Sequence, residues 1–232
     1  MENVHAERSA GWSILSYVAL LFIATVITSP LPDPTQRPTD IGLLIDTHRT
    51  TLLLGAWLTF PASGFFLWFI VGLRSYLAHR PGRQEGLPTF ALVSGVVMIT
   101  LSLIAACLEA TVAYAPAGVF QAFDMSALYS AFVFLQSGIA FGPVAIFTFA
   151  VAHSMRRHES APRWLVQLGY VGAGGAALAS LCIFFNAGPL APVGAGPGII
   201  GDLPVAAFLV AIGIELIKRR PDPARQAVDP IR

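Results

Sequence analysis

Six long apolar runs set the architecture of this chain before any other feature is considered. They extend from Gly11 to Ser29, Thr51 to Leu73, Pro88 to Tyr114, Met125 to Ala152, Trp164 to Phe185, and Ile199 to Ile217. A helix needs about 20 mostly apolar residues to cross a bilayer, because each residue advances only about 1.5 Å. Each run meets that requirement, and each is bounded by charge or by proline and glycine. The apolar residues go all the way round rather than forming one stripe, as in helices that face lipid on one side and neighbours on the other. Transmembrane β-strands would alternate over tracts of about 10 residues, and no tract here does so. Only 12% of the 232 residues are charged and 55% are hydrophobic, whereas a soluble domain carries about 25% charge. The expected fold is an all-α polytopic membrane bundle of six transmembrane helices, occupying residues 11–217 between tails of 1–10 and 218–232.

The first run could be read as a cleaved signal sequence. Such an h-region spans only about 7 to 15 residues and ends at small residues. This run is longer and leads into Ser29-Pro30-Leu31-Pro32, so it is expected to stay as a helix. Orientation follows from arginine and lysine, which concentrate in cytoplasmic loops. Arg8, the second and fourth loops and the C-terminal tail place 12 basic residues on one side, against Arg37 and Arg49 on the other. Both termini are therefore expected in the cytoplasm. The net charge of +1 gives no basic surface for nucleic acid. The expected partner is the lipid bilayer, with a homo-oligomer or a larger membrane complex as further options.

Two hairpins on the basic side match at one constant offset. Ala78, His79, Arg83, Glu85 and Pro88 pair with Ala152, His153, Arg157, Glu159 and Pro162, and Gly64 and Gly95 pair with Gly138 and Gly169. Read as a parallel repeat, helices two and three recur as helices four and five about a pseudo-two-fold axis. Short amphipathic loops also match by accident, because they use few residue types. Small residues are dense at Gly138 and Gly142 and from Gly172 to Ala177. They allow helix backbones to approach, within one chain or between chains. Pro61 and Pro143 are expected to kink their helices. Cys107 and Cys182 lie in apolar runs and read as packing residues.

Ionisable groups inside a membrane are costly, which makes them functional candidates. Asp33, Asp40, Asp46, Glu109, Asp124 and Asp202 all fall on the side with few arginines. Glu109 is the deepest, about 31 Å along its helix from Pro88 at about 1.5 Å per residue. One reading is a polar, outward-facing ligand pocket of Glu109, Arg49, His48, Asp46, Asp202 and Gln136, with Arg49 as the partner of Glu109. The other is a plain ion pair at the interface. His48 and Asp46 stand two apart, so on a helix they diverge and make a poor metal pair; no metal is assigned. Gln136 lies mid-membrane, where an amide must find partners, across helices or along a solute path. His79 and His153 could face each other as haem ligands, but a histidine at a helix C-terminus is also favoured by the dipole; no cofactor is assigned. The only lysine, Lys218, ends the last run, which excludes a retinal Schiff base in mid-membrane.

Pro162-Arg163-Trp164-Leu165, followed by Leu168-Gly169 and Gly172, resembles a family of bacterial six-helix membrane proteins of unknown function. The resemblance implies a six-helix fold in a prokaryotic plasma membrane and supplies no catalytic residues. The proline-rich stretch from Pro30 to Pro38 departs from that pattern. The same residues also have a local reason, since proline starts a helix and tryptophan anchors an interface. The sequence favours a non-enzymatic protein that binds or passes a small apolar or cationic solute. The alternatives are an accessory subunit, and a membrane enzyme using Glu109 with His48 as acid and base.

Overall fold

The computed structural model describes residues 2–29, 33–78, 86–114, 122–157, 161–185 and 187–218, and among these there is helix and turn but no strand. Helix α1 is Glu2–Thr28, α2 Pro38–Thr47, α3 Arg49–Ala78 and α4 Gly86–Tyr114. Next come α5 (Ala122–Phe134), a π turn (Leu135–Ile139) and α6 (Phe141–Arg157), which together form one long rod. Helix α7 (Arg163–Ala179) tightens into a 3-10 turn at Ser180–Phe184. The last rod is α8 (Ala195–Pro197), a second π turn (Gly198–Asp202) and α9 (Leu203–Lys218). Six spans, Arg8–Thr28, Arg49–Arg74, Gly86–Tyr114, Asp124–Arg157, Arg163–Phe184 and Ala195–Lys218, are long and apolar enough to cross a membrane. The chain is a multi-pass integral membrane protein.

The spans close into a ring in chain order. Helix α1 packs on α3, α3 on α4, α4 on α6, α6 on α7, α7 on α9, and α9 returns to α1. Short connections make successive helices antiparallel neighbours, and glycines bring the ring shut. A Cβ on Gly11 would lie 2.8 Å from Gly213 O, and one on Gly213 would lie 2.7 Å from Ile14 Cγ2. The first and last spans therefore meet almost backbone to backbone. The small face of α7 is likewise used within the chain. A Cβ on Gly169 would stand 2.6 Å from Ala152 Cβ and 2.7 Å from a Phe208 ring carbon, and Gly175 lies against Ile200 O. Of the other small pair, Gly138 meets Ile183 while Gly142 has open space beside it.

The ring has two unlike faces. Arg74, Arg156, Arg157, Arg163 and Lys218 end their spans at one, the basic face; α2 lies at the other, the α2 face. Inside the basic half, Tyr17, Phe66, Phe69 and Phe147 form a fully packed layer. Phe66 has ring centroids 4.8 Å from Tyr17, 5.9 Å from Phe69 and 5.4 Å from Phe147. In the α2 half, Ile41 and Ile45 of α2 pack with Leu52, Val112, Tyr129 and Phe132.

The hairpins matched by the sequence offset fall at unequal places. Pro162 precedes α7, whereas Pro88 is buried inside α4. Gly95 packs on Ile70 and Phe147, but Gly169 packs on Ala152 and Phe208. The two helix pairs thus pack in different registers. His153 sits inside α6, with Nδ1 3.1 Å from the Tyr170 hydroxyl and its ring stacked on Phe149. His79, and with it the facing-histidine reading, lies outside the described residues.

Candidate binding cavity

The α2 half of the ring encloses a cavity of about 440 Å³. Every span except the fifth contributes to its wall, and the loop at 192–198 folds over it. Among the described residues, Glu109 is the one charged side chain that is buried, at 9% exposure. It faces into the cavity beside Thr28, Gly55, Phe132, Gln136 and Asp202. Among the described residues, no hydrogen bond or ion pair reaches its carboxylate. Gly55 makes the room for it: an added Cβ would collide with Thr28 Cγ2 and lie 3.5 Å from Glu109 Oε1. The neighbouring hydroxyls bond back to their own helices, Thr28 Oγ1 donating to Ala24 O at 3.0 Å and Thr59 Oγ1 to Gly55 O at 3.2 Å. Such bonds leave hydroxyl lone pairs available but donate nothing to the carboxylate.

Both π turns border this cavity, and each presents a polar side chain to it. The turn Leu135–Ile139 carries Gln136, and the turn Gly198–Asp202 carries Asp202. A π turn holds one more residue than an α turn and re-aims the side chains beyond it, which is why such turns recur at functional sites. Each is followed by proline in the first turn of the resuming helix, Pro143 in α6 and Pro204 in α9. Proline has no N–H for the carbonyl four residues back and crowds it; those carbonyls belong to Ile139 and Ile200, inside the two π turns. The disruption expected at Pro143 is therefore absorbed by a widened turn. Pro61 lies within continuous α3, so proline permits this response without compelling it. Cys182 adds a lock: its thiol donates to Ser137 O, within the first π turn, at 2.9 Å.

Of the six residues expected to share one pocket, Glu109, Gln136 and Asp202 line the cavity; Asp46, His48 and Arg49 do not. Arg49 is not the partner of Glu109. Its Nη2 donates to Tyr114 O at 3.3 Å, and its guanidinium lies 5.8 Å from the Tyr114 ring centroid. The reason is helical geometry: Tyr114 ends α4, where exposed carbonyls attract a cation, and five residues separate it from Glu109 in height and in facing. Asp46 and His48 are exposed at the end of α2, with His48 N–H capping Leu44 O at 3.0 Å. That placement separates His48 from Glu109 as an acid–base pair. Gln136 is exposed and lines the cavity, with no bond across the bundle among the described residues.

Sequence reading missed Gly55, Thr28 and the loop over the cavity. The loop's signal was present in its glycines and prolines. Gly188 has φ +94°, and Gly196 N–H donates to Pro189 O at 2.8 Å, folding the loop so that Ala191 is buried at 4% exposure. Irregular backbone at membrane depth is tolerated where it is buried in protein or lines a cavity. No protein-family model matches the chain, and no curated protein or solved structure does so.

Proposed function

We propose that this protein sits in a bacterial plasma membrane with both termini in the cytoplasm and binds a small cationic or apolar solute in a cup open to the outside. The observation that carries this reading is Glu109: a carboxylate nine-tenths buried, facing a cavity, with no partner among the described residues. A carboxylate facing a cavity without a counter-charge attracts a cation, and a bound solute supplies what the chain does not. The excess of arginine at the basic face supports the orientation. The aromatic layer of Tyr17, Phe66, Phe69 and Phe147 closes the cup toward that face, so permeation requires this layer to part. A docking role as an accessory subunit has less support, since the glycine faces of α1, α7 and α9 are occupied within the chain.

Native mass spectrometry of the protein released from its own membrane tests the reading. A stoichiometric small-molecule adduct, lost in Gly55→Val, is the expected result. An adduct that survives Gly55→Val would place it elsewhere, and a chain that carries only a second polypeptide would favour the subunit role.

A further inference from the structure

The cup's wall is chemically divided, and the division narrows the class of solute. Its charge is wholly negative: Glu109 and Asp202 line it, and no Lys, Arg or His does so among the described residues. Its uncharged polar groups are the Gln136 amide, Ser29, Ser137 and threonine hydroxyls that already donate to their own helices. The apolar part of the wall includes Leu21, Val193, Phe132 and Phe141.

Resting on the proposed solute cup, we propose that the solute is an organic monocation, an ammonium centre carried on an apolar body. The ammonium end meets Glu109, and the body lies against Phe132 and Phe141. A bare divalent ion fits poorly, because it needs about six to eight oxygens at about 2.0–2.6 Å. Among the described residues, no three His, Cys, Asp or Glu side chains gather here. A volume of 440 Å³ falls in the range of about 300–1,000 Å³ used for small molecules and would leave a lone ion mostly uncontacted. Phenylalanine faces also attract an alkylammonium while excluding water. Membrane depth strengthens each of these terms, since a cation leaving water must recover its hydration from the site itself.

Equilibrium binding to the purified full chain tests this with phenyltrimethylammonium, its neutral isostere tert-butylbenzene, sodium and magnesium. The expected result is a preference of tenfold or more for the ammonium probe over the isostere, undisturbed by either metal ion at equal concentration. Glu109→Gln, close to isosteric, should abolish that preference and leave the isostere's binding unchanged. Phe132→Leu should weaken the ammonium probe several-fold, which a purely electrostatic site would not show. Equal binding of isostere and cation, or an unaltered preference in Glu109→Gln, would overturn the monocation while leaving a solute cup in place. Displacement of the probe by magnesium or sodium would likewise overturn it in favour of a metal ion. Binding of none of the four would defeat the cup itself.

Discussion

The two halves of the ring solve the same packing problem in opposite ways. In the basic half, six spans converge on side chains that are almost wholly enclosed: Phe66, Phe69, Phe147 and Phe208 are each at 0–1% exposure. In the α2 half, five of the six spans line a void with a carboxylate at its wall. Lipid gives little hydrophobic drive for helices to associate, so close packing must hold the bundle. The packed half therefore carries the stability that the hollow half gives up.

Replacing Phe66 with alanine should produce the largest effect, about 3–5 kcal/mol by the usual cost of emptying a buried phenylalanine site. Phe132→Ala should cost less, because Phe132 borders the cavity, which leaves the site room to relax. Unfolding free energies by denaturant titration in detergent decide this; equal losses would mean that the halves are equally packed. Gly175→Val comes next, at about 1–3 kcal/mol for overpacking, since any Cβ there meets Ile200 O. Gly174→Ala, one residue away with open space beside it, is the control and should be neutral or mildly stabilising. A matching loss at both would show that helix propensity, rather than close approach, governs α7.

The same contrast separates what the sequence disclosed from what it concealed. The packed half was legible: hydropathy located all six spans, and apolar runs ending in arginine marked the basic face. The hollow half was not. Helix α2 was hidden within a proline-rich loop, although proline at its first position, Asp40 in its first turn and the Ile41–Ile45 spacing are helix signals. Asp46, His48 and Arg49 were grouped with Glu109 because charge on one side of a membrane suggests a common site. Facing, which decides whether two such groups meet, depends on helix rotation, and apolar composition all round a helix leaves rotation unmarked. The π turns shift that rotation again by an extra residue each. Prolines at positions 143 and 204 hinted at disruption without saying what form it would take.

Cys182 joins the two halves at the smaller end of the scale. Its thiol bond to Ser137 O supports the π turn that carries Gln136. Cys182→Ala should cost about 1 kcal/mol, the net worth of one hydrogen bond with a small packing loss. Cys182→Ser keeps a donor and should recover part of it. If serine and alanine melt at the same temperature, the thiol acts there as a filler only, and the turn stands on Pro143 alone.

Pro204→Ala should change stability least and bears most directly on why the α2 half is hollow. Alanine restores an N–H and removes the ring that crowds Ile200 O, so the last rod can run as continuous α-helix. Helix propensity then favours the variant, while the contact of Gly175 with Ile200 O opposes it, leaving a net change below about 1 kcal/mol. Losing the extra residue of the π turn rotates Asp202 by about 100° relative to α9, the angle of one residue in an α-helix. Asp202 would then leave the cavity wall. Phenyltrimethylammonium affinity should fall several-fold with the melting temperature almost unmoved. An unchanged affinity would show that Asp202 contributes nothing to the ligand and that Glu109 alone sets the charge of the cup. A large drop in melting temperature would instead make the π turn a structural requirement of the ring, and the division of labour between the halves would fail at that point.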